Sequence, residues 1–364
     1  MNASDTSRFI KACRNQPVDC TPVWFMRQAG RSLPEYRLKR KDLSILETVK
    51  NPELSAELTL QPVKRYDVDA AVLFSDIMVP LKAIGIELDI LPNVGPVIAD
   101  PFTDVSHLKR IRSYEPEADA PYVQETIALV KKNCDVPLIG FAGAPFTIAS
   151  YLVEGRPTRT FTKTKTLMHT DPGFWSQMMD KLSDLILSSL TAQITAGADA
   201  IQLFDSWAGY LSRYDYETYV WPFSKKIFDT LSKTFGNSVP KIHFGVGTGA
   251  ILDLMASAGP DVLSVDWRMP LDKVFPLLGP EQAVQGNLDP ALCLAPFEAV
   301  AKEAGKILAD AKRANSGRKG SDNPTRSFPS GHIFNLGHGV LPETDPDILT
   351  RLVGFVRDHN PPAI

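Results

Sequence analysis

A chain of 364 residues, 44% hydrophobic and 22% charged, has ordinary globular composition with ample material for a core. Its net charge of -3 argues against a general polyanion-binding surface, and so against nucleic acid; any attraction for anions must be local. Cys13, Cys20, Cys134 and Cys293 form no Cys-x-x-Cys pair, which argues against a disulfide framework or a zinc ribbon.

The first sixteen residues, MNASDTSRFIKACRNQ, contain no apolar core of signal-peptide length, and nowhere do eighteen apolar residues run together. The expectation is a reduced, cytoplasmic protein that is neither exported nor membrane-spanning.

In chain order, short apolar runs alternate with longer amphipathic stretches. The runs are Pro22–Met26, Ala70–Phe74, Pro137–Phe141, Ala200–Phe204, Lys241–Val246, Val262–Asp266, Ala283–Asn287 and His332–Leu336. Each is strand-sized and nearly continuous in apolar character, the pattern of strands buried on both faces. Pro52–Tyr66, Pro121–Asn133, Asp171–Ala196, Arg213–Thr234 and Pro296–Arg313 carry apolar residues at three- and four-residue spacing and predict helices. Eight strands alternating with helices predict a single α/β domain over residues 1–364, a (β/α)₈ TIM-type barrel; a doubly wound open sheet is the competing topology. Ile86–Asp104 reads as a hairpin excursion after the second run. Ala314–Ser330, rich in Gly, Ser, Asn and basic residues, reads as a flexible loop.

Polar or glycine-containing motifs follow the runs: RQAGR, SDI, AGAPF, DSWAG, GVGTG, DW, NLD and GHG. In a barrel these gather at the C-terminal ends of the strands, where active-site clefts lie. The motif Gly245-Val-Gly247-Thr-Gly249 lacks the remainder of a dinucleotide fingerprint and reads as a closely packed turn.

The stretch TPVWFMRQAGRSLPEYR at Thr21–Arg37 sets Arg27 and Arg31 at the end of an apolar run, with Gln28, Ala29 and Gly30 between them. A charge that terminates a buried strand must find a partner. Arginine forks hold carboxylates bidentately, each charge-assisted contact being worth roughly 1.5–3 kcal/mol. Ala29 and Gly30 would let a ligand approach the backbone closely. Arg37, Arg40, Lys39 and Lys41 follow, and for these a solvated helix start, with Glu35 pairing an arginine, is an equal alternative. The stretch predicts a ligand carrying several carboxylates.

These residues resemble the N-terminal signature of the uroporphyrinogen decarboxylase family, and GFAGAPFTIASYLVEG at Gly140–Gly155 resembles its second. FSDI at Phe74–Ile77, DSWAG at Asp205–Gly209 and NLGHG at Asn335–Gly339 follow in the family's order, so the resemblance covers nearly the whole chain. Trp207 stands where many members carry a different residue. The resemblance implies a homodimer acting on uroporphyrinogen, a tetrapyrrole with four acetate and four propionate groups, and cofactor-free loss of carbon dioxide from each acetate. No metal is implied. Protonation of the ring carbon beside an acetate makes a cationic electron sink, so an anion facing the pyrrole nitrogens is needed. Asp76 of FSDI is expected to fill that role; taken alone, an aspartate there would cap the next helix. A charge pair at ~4 Å and an effective dielectric of ~20 is worth about 4 kcal/mol, or roughly a thousandfold in rate. By the same resemblance Arg27, Gln28, Ala29, Gly30, Arg31, Arg40, Tyr151, Ser206 and His338 belong to the substrate site. The proton donor is left open among Arg27, Arg31, Tyr151 and His338.

Two rivals share the fold. A corrinoid-linked methyltransferase uses a metal-bound thiolate, usually from His-x-Cys with a later Cys, and no His lies two residues before any Cys here. A non-catalytic tetrapyrrole carrier would keep the arginines but could discard Asp76. The aromatics Trp207, Tyr210, Tyr214, Tyr216, Tyr219 and Trp221 could line a pocket, form an interface or pack a helix.

Overall fold

Most of the apolar runs become short parallel strands, with helices as the crossovers that parallel pairing demands. The computed structural model describes residues 7–30, 32–316 and 331–359, apart from the side chains of residues 315 and 316. The strands are β1 (Ala71–Val72), β2 (Leu88–Leu91), β3 (Gly95–Ile98), β4 (Leu138–Gly143), β5 (Ala200–Asp205), β6 (Lys241–Gly245), β7 (Val262–Ser264), β8 (Ala283–Gln285) and β9 (His332–Ile333). Seven of them form one curled parallel sheet in the order β1-β4-β5-β6-β7-β8-β9. The remaining two, β2 and β3, form the expected antiparallel hairpin, with Leu88 opposite Ile98 and Leu91 opposite Gly95. The helices Pro121–Asn133, Pro172–Ala196, Trp221–Phe235 and Phe297–Ser316 precede β4, β5, β6 and β9. Both β6 and β7 are buried at every residue, as continuous apolar runs require.

Pro22–Met26 forms no regular strand. Val23 bridges Phe334 in parallel, the Phe334 amide donates to Pro22 O at 2.8 Å, and the Asp69 amide donates to Val23 O at 2.8 Å. Side chains have replaced part of a ladder. Pro22 has no N–H; the Val23 amide donates to Asp69 Oδ2 at 2.7 Å, and the Met26 amide to Asn335 Oδ1 at 3.0 Å. Asp69 also receives Arg8 Nη1 at 2.9 Å and Arg357 Nη2 at 3.2 Å, joining the first and last helices beneath this run.

Buried polar side chains cross the concave face of the sheet. Trp24 Nε1 donates to Gln285 Oε1 at 2.8 Å, and Gln285 Nε2 donates to Gln202 Oε1 at 2.9 Å and Ser264 Oγ at 2.8 Å. These bonds pair most of the buried layer, while Gln202 Nε2 has no partner among the described residues.

Two expected boundaries shift. The predicted helix Arg213–Thr234 is two helices, Arg213–Tyr219 and Trp221–Phe235, because Pro222 opens the second and cannot donate back into the first. The last long helix continues to Ser316, past the expected start of the loop at 314, and residues 317–330 lie outside the described residues. No described helix is long and apolar enough to cross a membrane.

Candidate active site

The turns that follow the strands are stitched to one another at one end of the sheet. The Ala144 amide donates to Phe204 O at 2.8 Å, joining the turn after β4 to the end of β5. A side chain at Gly209 would lie 2.2 Å from Val246 O, so DSWAG packs directly on the GVGTG backbone. The Gly247 amide donates to Asp266 Oδ2 at 2.6 Å, tying that turn to the one after β7. The Gly337 amide donates to Leu288 O at 2.7 Å, and the Val340 amide to Met26 O at 2.9 Å, which brings NLGHG against the Arg27 turn. The motifs thus share one rim. GVGTG is the packed turn expected: a Cβ at Gly245 would lie 2.6 Å from Thr248 Cγ2, and one at Gly249 would lie 3.2 Å from Met269 Sδ.

Arg27 sits in the left-handed region at φ 60 and is exposed, with no ion-pair partner among the described residues. Its stem crosses Gly339, where an added Cβ would lie 2.4 Å from Arg27 Cδ. Gly30 is required by the same turn, since a Cβ there would lie 2.6 Å from Arg27 O. Arg31 lies outside the described residues. The side chain of Gln28 is fully buried and serves the fold: Oε1 accepts the Phe25 amide at 3.0 Å and Nε2 donates to Ala70 O at 3.0 Å. Ala29 is half-buried beside it. Arg40 turns to its own segment, contacting the Tyr36 hydroxyl and donating to Leu43 O at 3.0 Å. Glu35 pairs Arg65 at 3.5 Å and Lys39 pairs Glu57 at 3.2 Å, so this part of the basic stretch is a solvated helix face.

Asp76 follows β1. Its Oδ1 accepts the Met78 amide at 2.9 Å, which pins the carboxylate at the entrance of the helix Val79–Ala83; Oδ2 has no protein donor among the described residues. Burial raises its pKa, opposed by the Met78 amide and by the charge of Arg27. Tyr151 lies on the helix Pro145–Glu154, which starts immediately after β4. Burial pushes its hydroxyl pKa up, the negative Asp76 adds to this, and Arg27 opposes it. Trp207 packs on the Tyr151 ring at 4.1 Å between centroids and on Phe161 at 4.9 Å. Trp207 therefore braces Tyr151. Ser206, half-buried, occupies the turn directly after β5.

His338 Nδ1 accepts the Gly339 amide at 2.7 Å, which places the proton of the neutral ring on Nε2. Burial holds its pKa down at about 4, helped by Arg27 and Arg268 and opposed by Asp266. Arg27 is thus the common electrostatic neighbour of Asp76, Tyr151 and His338.

An apolar wall completes the site. Phe141 and Phe204 meet edge-on at 5.4 Å, Phe204 and Phe244 at 5.6 Å, and Phe244 faces the His338 ring at 6.2 Å. Composition offered no reason to single out these three rings. The available signal was positional: PLIGF, AIQLF and KIHFG each place a phenylalanine near the C-terminal end of a run. The other aromatics divide. Tyr216 is fully buried, Trp175 Nε1 donates to Tyr219 O at 2.9 Å and Trp221 Nε1 to Ser257 Oγ at 2.9 Å, whereas Tyr210 and Tyr214 are exposed. Chemically, the arrangement offers the Asp76 carboxylate, the exposed Arg27 cation, three neutral donors in Tyr151, Ser206 and His338, and an aromatic face.

The sequence matches the family described as Uroporphyrinogen decarboxylase (URO-D) over residues 4–359. It is 54% identical to proteins named uroporphyrinogen decarboxylase from Thermobifida fusca, over 96% of this chain and 92% of that one, and from Streptomyces coelicolor, over 97% and 95%. Among solved structures, a methyltransferase from Methanosarcina mazei is similar at TM-score 0.72 and 20% identity, covering 96% of this chain and 97% of that one. A B12-independent methionine synthase from Shewanella sp. W3-18-1 is similar at TM-score 0.55 and 9% identity, covering 84% and 87%. Likeness at such identities speaks for the fold alone.

Proposed function

The chain belongs to the uroporphyrinogen decarboxylase family, and on that premise we propose how its residues convert the four acetates of uroporphyrinogen III to methyl groups, giving coproporphyrinogen III. The activity is decarboxylation in tetrapyrrole biosynthesis, that of a carboxy-lyase. The observation that carries the mechanism is Asp76: one oxygen pinned by Met78, the other open, and the carboxylate desolvated before any ligand arrives.

Each turnover begins with a proton added to the ring carbon beside an acetate, leaving an iminium-like pyrrole. The carboxylate carbon departs as carbon dioxide and its electron pair forms an exocyclic double bond. A second proton makes the methyl group, and loss of the ring proton restores the pyrrole. The net change is one proton taken up and one carbon dioxide released. The pyrrole is its own electron sink, so no cofactor enters the scheme.

Pyrrole N–H groups donate to Asp76 and replace the hydration that burial removed. A carboxylate whose charged form is disfavoured in the empty site gains most when positive charge develops beside it. Arg27 holds a substrate carboxylate at the mouth, and Arg31 is assigned the same task by sequence. Tyr151 and Ser206 donate hydroxyl hydrogen bonds. His338, its pKa held down at about 4 by burial, donates the Nε2–H of the neutral ring to a propionate. Phe141 and Phe204, both partly exposed, supply an apolar face for the pyrrole rings, with the buried Phe244 packed against Phe204.

The remaining assignments follow the same premise. Pro22–Met26 is the eighth stave of a closed (β/α)₈ barrel, supported by its contacts with Phe334 on one edge and Asp69 on the other. The chain is one domain, works in the cytoplasm and pairs as a homodimer. Replacing Asp76 by Asn, which keeps an acceptor for the Met78 amide but no charge, tests the mechanism: kcat is expected to fall about a thousandfold with the fold intact. Retained turnover would remove Asp76 from its role.

A further inference from the structure

We propose that Arg268 is a substrate-docking residue, receiving a side-chain carboxylate of the tetrapyrrole beside His338, on the flank away from Arg27. The inference rests on the substrate reading above.

Arg268 lies in the turn after β7, at the same rim as the other motifs. Its guanidinium is already positioned by two neighbours. Nη1 donates to Asp266 Oδ2, and the guanidinium carbon lies 4.3 Å from the centroid of the Trp267 ring. Yet the side chain is 52% exposed, whereas Asp266 is 4% exposed. Asp266 is also well supplied, since Oδ2 receives the Gly247 amide at 2.6 Å and Oδ1 the Arg268 amide at 3.1 Å. Capacity therefore remains on the arginine. Nε and Nη2 have no hydrogen-bond acceptor among the described residues. A fork held in place this way loses less rotamer freedom on binding than a solvated arginine does.

The neighbouring turns fix where that capacity points. A Cβ at Gly337 would lie 2.5 Å from the Trp267 amide nitrogen, so the NLGHG turn rests directly on the DWR turn. On its other side NLGHG takes the Arg27 stem over Gly339. In sheet order β7, β8 and β9 are followed by the Pro22–Met26 run, which puts Arg268 and Arg27 on opposite flanks of His338. Both arginines disfavour a proton on that ring. A carboxylate accepting His338 Nε2–H would lie in the field of both.

The test compares the full-length wild type, R268Q and R268K by anaerobic steady-state kinetics on uroporphyrinogen. R268Q is expected to raise KM about tenfold with kcat within twofold, and R268K to recover most of the loss because it restores the charge. In parallel, NMR titration of His338 in R268Q should give a higher imidazole pKa than wild type, and R268K should not. An unchanged KM in R268Q, or a fall in kcat and melting temperature without a KM change, overturns the assignment. Wild-type protein inert toward uroporphyrinogen would instead sink the substrate reading, leaving the His338 titration as the arbiter of the geometry.

Discussion

On the proposed mechanism, Asp76 concentrates the chemistry in one side chain whose capping and catalytic duties coincide. A capping role is present, since Oδ1 accepts the Met78 amide, and it is also what aims Oδ2 into the cleft. Burial raises the pKa of Asp76, so its ionised form costs folding free energy at pH values above the raised pKa, and nothing below the unfolded value. Asp76→Asn should therefore melt at or above the wild-type temperature at pH 8 while losing activity, a pairing that differential scanning calorimetry and an assay can check together. Gly339→Ala should act through geometry. The new methyl collides with Arg27 Cδ, so KM should rise severalfold with little change in thermal stability. The positions of Asp76, Tyr151 and His338 after the strands were legible in sequence, because each stands in a motif that follows an apolar run. The duty of Gln28 was not, since a polar residue between two arginines reads the same whether it faces a ligand or caps its own turn. Only burial and the bonds to Phe25 and Ala70 distinguish them.

Among the elements, the first apolar run shows where pattern reading stops. Alternation of apolar runs with amphipathic helices located the strands of the sheet and the β2–β3 hairpin. It could not reveal that Pro22–Met26 would be held by Asp69 and Asn335 side chains in place of a regular ladder. Those partners lie 46 and 309 residues away in sequence, beyond any local pattern. Asp69 binds the Val23 amide and two arginines from the first and last helices; its removal orphans the buried Val23 amide and leaves Arg8 only Asp19 and Arg357 only Asp67. Asp69→Ala is expected to destabilise the protein by about 3 kcal/mol, within the range for breaking a buried charged network. Urea unfolding should show it as a lower midpoint with an unchanged slope. The helix break at Val220 was readable in principle from Pro222, but continuous amphipathic spacing through Arg213–Thr234 outweighed it.

For the whole molecule, two buried histidines contribute to the loss of stability in acid. His332, fully buried, and His338 are both pushed down to about 4 by burial, against an ordinary value near ~6.5. The unfolded chain takes up these protons first, so stability contributed by the neutral rings is complete above pH ~6.5 and lost as pH falls toward 4. Melting temperature should decline across that window, and His338→Gln should flatten part of the decline. The central claim concerns turnover. Freshly reduced uroporphyrinogen III, given anaerobically to metal-stripped protein without added cofactor, should lose four carbon dioxide units stepwise to coproporphyrinogen III, as read by chromatography and mass. Tight binding of the tetrapyrrole with no loss of carbon dioxide would contradict it.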